Sequence, residues 1–109
     1  MRIKIVTFQL RDMDEAGYRA ACSELAPAFA DVPGLLSKIW LGDSASNTYG
    51  GVYLFRDVES ADAYGASELL AAVAASPHFT GVTVRDFDVY EELTAVTQRA
   101  LEVVPALTT

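Results

Sequence analysis

The chain has 109 residues, 51% hydrophobic and 21% charged, with a formal net charge of −7. That is the length of one compact domain, residues 1–109, and the acidic balance, with no basic cluster, argues against a nucleic-acid partner. No apolar run approaches the ~20 residues of a membrane helix, no signal peptide is recognisable, and Cys22 is alone, so the expectation is a cytoplasmic protein without an internal disulfide.

Residues 3–10 alternate in polarity and predict a strand. Asp12 or Asp14 can cap the following helix, whose buried stripe is Tyr18, Ala21/Cys22, Leu25 and Phe29. Pro27 is expected to kink that helix or end its regular part early. "DVPG" (31–34) is a turn, 35–41 a second strand and "GDSASN" (42–47) a polar loop. A third strand, "YGGVYLF" (49–55), opens on two adjacent glycines, which weaken a strand and pack nothing. Asp57 caps a helix carrying Tyr64, which Gly65 breaks before "ELLAAVAA" (68–75). "SPHFTG" (76–81) reads as a loop and 82–90 as the fourth strand. The tail, 91–109, begins as a short helix to about 101, with Leu93, Val96, Ala100 and Leu101 on one side, and Pro105 ends it.

The order β-α-β-β-α-β predicts an α+β, ferredoxin-like domain with an antiparallel four-stranded sheet and a C-terminal helix. Helices cover only one face of such a sheet. Yet Ile3 and Ile5 oppose Val6 and Phe8, Ile39 and Leu41 oppose Leu36 and Trp40, Val52 and Leu54 oppose Tyr53 and Phe55, and Val82 and Val84 oppose Phe87 and Val89. A wet face would alternate with polar residues. The expected cover for the second face is another copy of the sheet across a two-fold axis, hence a homodimer.

The segments "VPGLLSKIW", "YGGVYLFRDVESADAY" and "GVTVRDFDV" strongly resemble the YdhR-like monooxygenase family of the dimeric α/β-barrel superfamily, which also holds the antibiotic-biosynthesis monooxygenases. The resemblance spans roughly residues 32 to 97, and "ASPHF" is similar to the loop after the second helix in those relatives. It implies a dimeric α/β barrel with one pocket per subunit between sheet and helices. It also implies oxygenation of an aromatic or polyketide-like small molecule without flavin, metal or haem, the substrate anion itself reducing dioxygen.

Several residues could carry that chemistry. Tyr49, Gly51, Tyr53 and Phe55 share one strand face, so Gly51 either leaves a gap for a flat ligand or relieves crowding against a helix or at a bulge. Tyr64 joins the rings that would shape the pocket. His78, the single histidine, is either a general base for a phenol-type hydroxyl or a loop residue capping helix carbonyls. Trp40 shares a face with Lys38, and the two are either a pocket wall with a cation for a phenolate or an interface anchor. Asp86 and Asp88 are an acid–base pair or strand-end carboxylates facing water, Asp88 being the stronger candidate because it lies in "FDV".

One histidine and one cysteine cannot build a zinc site in one chain, and no phosphate loop or nucleophile elbow occurs. The haem-degrading relatives use an asparagine, a tryptophan and a histidine together. Trp40 and His78 are present, but the first strand offers only Thr7 and Gln9 for the asparagine, which argues against haem degradation. Two alternatives to an oxygenase use the same pocket: a non-oxidative isomerase, cyclase or lyase, and a ligand-binding dimer without turnover.

Overall fold

The computed structural model describes residues 1–98. Its elements are β1 (Arg2–Leu10), α1 (Glu15–Ala30), β2 (Leu35–Asp43), β3 (Thr48–Phe55), α2 (Val58–Gly65), α3 (Glu68–Ala75), β4 (Phe79–Asp88) and α4 (Glu91–Thr97). The strands form one antiparallel sheet in the order β2-β3-β1-β4, the expected ferredoxin-like arrangement.

Local chemistry sets most boundaries. Asp14 caps α1 by accepting from the Gly17 amide, and Asp57 caps α2 through the Ser60 amide. Asp12 is instead a turn residue with positive φ. Gly65 ends α2, and Ser67 caps α3. In α1 the helix does not end early at Pro27 but runs through it to Ala30, and Leu25, expected in the buried stripe, is exposed, the face toward the sheet carrying Ala26 instead. The fourth strand also starts earlier than expected, at Phe79. That ring stacks on Phe8 at 4.3 Å, and a bulge with Gly81 at positive φ restores register with β1. Ala100, Leu101 and Pro105 lie outside the described residues.

The sheet faces differ sharply. Val6, Phe8, Tyr49, Tyr53 and Phe55 join Tyr18 and Phe29 of α1, Ala61 and Tyr64 of α2 and Leu70 of α3 in one aromatic-rich core. Lys4 is buried on this side and paired with Asp86 at 2.8 Å. On the other face the register lines up Leu54, Ile3 and Phe87 in one row and Ile39, Val52 and Ile5 in the next. The buried residues of α1, α2 and α3 all belong to the opposite face, and α4 buries none.

The two glycines of β3 do different work. Gly50 has φ +146, and a Cβ there would run into the Val6 carbonyl oxygen of β1, so close backbone approach requires glycine. A Cβ on Gly51 would sit 2.9 Å from Lys38 Cε and 3.1 Å from Tyr53 Cε1. The bare backbone at Gly51 therefore makes room for a lysine stem.

Candidate active site

α1 reaches the sheet through two aromatic posts, Tyr18 and Phe29, eleven residues or ~16 Å apart along the axis. Between them the same helix face carries only Cys22 and Ala26. Large posts with small residues between them hold the helix off the β2 edge and leave a cleft of about 430 Å³. Tyr18, Arg19, Cys22 and Ala26 form one wall, Trp40, Gly42 and Tyr49 the other, and Glu15 stands at its end. A smaller cavity of about 320 Å³ continues along the edge past Ala26 and Trp40, which border both, to Phe29 and Lys38.

The cleft combines apolar walls with a few polar groups, as small-molecule sites do. Tyr18 and Tyr49 meet edge-to-face at 5.0 Å. Burial, then the neighbouring Cys22, holds the Tyr18 pKa above the ordinary tyrosine value. Burial and then Glu15, whose Oε1 lies 3.5 Å from the hydroxyl, raise that of Tyr49. Both rings thus stay protonated, and the Tyr49 O–H is given to Glu15, leaving its oxygen as an acceptor. Lys38 lines the smaller cavity beside Trp40. Its Nζ is 3.3 Å from the Phe29 ring centroid, 3.4 Å from that of Trp40 and 4.7 Å from that of Tyr53. Burial lowers its pKa from 10.5 to about 7.

The candidates from sequence are divided by this geometry. Trp40 and Tyr49 line the cleft. Gly51 faces the same side, but the space above it is filled by Lys38. Tyr53 and Phe55 are core rings, stacked at 6.2 Å. Tyr64 is hydrogen-bonded to the Tyr53 hydroxyl at 3.1 Å and borders a separate cavity of about 340 Å³ with Val32, Pro33 and Ser60. His78 lines none of the three cavities described; its Nδ1 lies 3.0 Å from the Arg11 carbonyl oxygen, fastening β4 to the turn before α1. Asp88 forms an ion pair with Arg2 at 2.6 Å at the strand end and is largely exposed, and Asp86 is taken by Lys4. The α1 wall was not foreseen as a site, although Cys22 and Ala26 between two aromatic posts are its sequence signal.

The family model described as "Putative mono-oxygenase ydhR" matches residues 3–100. The chain belongs to the ydhR family. No curated protein matches it. Among solved structures, it is similar to a protein of Deinococcus radiodurans described as a "putative antibiotic biosynthesis monooxygenase", at 16% identity and TM-score 0.67, over 82% of this chain and 92% of that one. The heme-degrader MhuD of Mycobacterium tuberculosis, with two hemes in its active site, aligns at 21% identity and TM-score 0.65, covering 83% and 96%. SnoaB of Streptomyces nogalater, a cofactor-independent oxygenase, aligns at 19% identity and TM-score 0.62, covering 81% and 92%. At such identities these likenesses show the fold, and the ydhR assignment rests on the family match. Among the described residues, no helix is long and apolar enough to cross a membrane and no cluster of metal-ligating side chains occurs.

Proposed function

We propose that this ydhR-family member is a cofactor-independent monooxygenase whose substrate, an aromatic or polyketide-like molecule, lies in the cleft between α1 and β2. The cleft walled by Tyr18, Trp40 and Tyr49 carries this reading. A flat ring stacks on Trp40 while the tyrosine hydroxyls meet its polar groups, Tyr49 as an acceptor because its own proton goes to Glu15. In the anionic substrate, an activated ring-flanking CH₂ supplies four electrons to dioxygen as it becomes a carbonyl. One oxygen atom enters the product and the other leaves as water. The SnoaB likeness supports an oxygenase on this fold, and the family match supports it for this chain.

The working unit in this proposal is a homodimer. The open sheet face carries Ile3, Ile5, Ile39, Val52, Leu54 and Phe87 together, and an apolar surface of that extent marks an association site. Sedimentation at about twice the 11.7 kDa chain mass is expected, and a stable monomer contradicts it.

The experiment is oxygen uptake with a panel of phenolic and enolisable polycyclic compounds, using wild type and Ala26→Phe, which fills the cleft. Uptake by the wild type and its loss in a folded Ala26→Phe support the proposal. Equal uptake by both places the reaction elsewhere, and turnover under strict anaerobiosis removes the oxygenase reading.

A further inference from the structure

We propose that Lys38 is the acid–base residue of the smaller cavity that continues the cleft past Ala26 and Trp40: its amine takes the proton of a phenolic or enolic hydroxyl on the ligand and, as the ammonium, then holds the oxyanion. The inference rests on the aromatic-ligand reading above and narrows it to ligands with an ionisable hydroxyl.

The helix-facing side of the sheet carries two buried or half-buried lysines, and the fold treats them differently. Lys4 is neutralised by Asp86 at 2.8 Å. Lys38 has no ion-pair partner among the described residues. Its stem crosses β3 above Gly51, the position where any Cβ would crowd Lys38 Cε, and its amine ends against Trp40, the ring that borders both cavities. A lysine kept only for packing has no need of an amine delivered to a cavity wall.

The surroundings allow both protonation states near neutrality. From α1 the titratable group facing Lys38 is Cys22, and from β3 it is Tyr53, hydrogen-bonded to Tyr64 of α2. Glu15 and Arg19 lie in the larger cleft, two turns and one turn of α1 before Cys22. Burial disfavours the ammonium, while the three ring faces favour it. Proton transfer then balances simply. The ligand O–H bond breaks, an N–H bond forms on Lys38, and the electron pair stays on oxygen, with no oxidant involved. The resulting oxyanion supplies the counter-charge that the fold omits, so each ion offsets the desolvation of the other. Neutral arenes and amines gain nothing from this arrangement.

The test uses 3-nitrophenol under anaerobic conditions, where no turnover is needed, at a pH between the Lys38 midpoint and the ionisation of the free probe. Wild type is expected to develop the nitrophenolate absorption band on binding, without releasing a proton to the buffer in calorimetry. Lys38→Met, which keeps the length of the stem, is expected to lose the band and bind roughly 10- to 100-fold more weakly. Lys38→Arg, which pairs with the anion but cannot accept its proton, is expected to keep the band while releasing one proton. The wild-type Lys38 side chain should titrate near pH 7 by NMR, a measurement independent of whether any variant folds. Titration in the ordinary lysine range near ~10.4 overturns the proposal. So does an undiminished band in Lys38→Met, or no binding of the probe by wild type. Proton transfer to Lys38 in this anaerobic test, together with no oxygen uptake by any compound of the aerobic panel, would sink the oxygenase reading and leave the role of Lys38 standing.

Discussion

Gly51→Ala tests the arrangement around Lys38 without touching the lysine. The added Cβ would lie 2.9 Å from Lys38 Cε, 3.1 Å from Tyr53 Cε1 and 3.4 Å from the Ile39 carbonyl oxygen. Ordinary carbon contacts are ~3.5–4.0 Å, so the Lys38 stem must retreat by roughly 0.6–1 Å. The stem is the flexible partner, and Gly51 is not at positive φ, so the backbone accepts alanine. Loss of the ring contacts costs about 0.5–2 kcal/mol, and alanine returns about 0.4–1 kcal/mol by restricting the unfolded chain. Net stability in urea should therefore change by less than ~1.5 kcal/mol. The amine, pushed toward water, should titrate well above its starting value of about 7 by NMR. An unchanged midpoint in a folded Gly51→Ala protein would refute the reasoning. A stability loss beyond ~3 kcal/mol would also do so, because it would mean that backbone crowding, not the lysine, demands the glycine.

Stability should rise with pH between about 7 and 10.5, because the folded lysine has released a proton that the unfolded chain still binds. The slope contributed by Lys38 is at most ~1.4 kcal/mol per pH unit, and Lys38→Met should flatten it and stabilise the protein below neutrality. Above the ordinary tyrosine range the trend should reverse. Tyr18, Tyr53 and Tyr64 have raised pKa values in the fold, so the unfolded chain loses those protons first; urea titrations across pH read both limbs. Asp86→Asn strands the buried Lys4 and should cost about 2–3 kcal/mol in urea unfolding. His78→Ala should keep turnover within roughly threefold of wild type, against a loss of ~10²–10⁴ for Lys38→Met in steady-state assays; the reverse ranking would return the base role to His78.

Alternation over residues 3–10 and the β-branched and aromatic run of "YGGVYLF" gave the first and third strands, but both faces of each are apolar, so the face that meets the helices was not legible. Asp57 gave the start of α2, and the start of α1 was narrowed to Asp12 or Asp14, of which Asp14 makes the capping hydrogen bond. Phe79 was hidden because Pro77 and Gly81 frame it as a loop, whereas its contact with Phe8 is a tertiary fact. The site was legible only in fragments. Trp40 beside Lys38 is visible in the sequence, but the cross-strand pairing of Trp40 with Gly51 and of Lys38 with Tyr53 depends on a register set partly by the bulge after Leu35. Hence Gly51 reads in the sequence as either a gap for a ligand or a relief of crowding at a helix or bulge, and in the fold it is the bed of a lysine. His78 and Asp88 attract a sequence reader by residue type, yet the backbone carbonyl of Arg11 and the guanidinium of Arg2 engage them.

Turnover of a phenolic or enolisable polycyclic substrate under ¹⁸O₂, with the product analysed by mass spectrometry, tests the oxygenase assignment most directly. One labelled atom per product molecule is expected, with the second recovered as labelled water and no added flavin, metal or haem required. Product formed at the same rate without dioxygen, or carrying oxygen only from solvent, would contradict it.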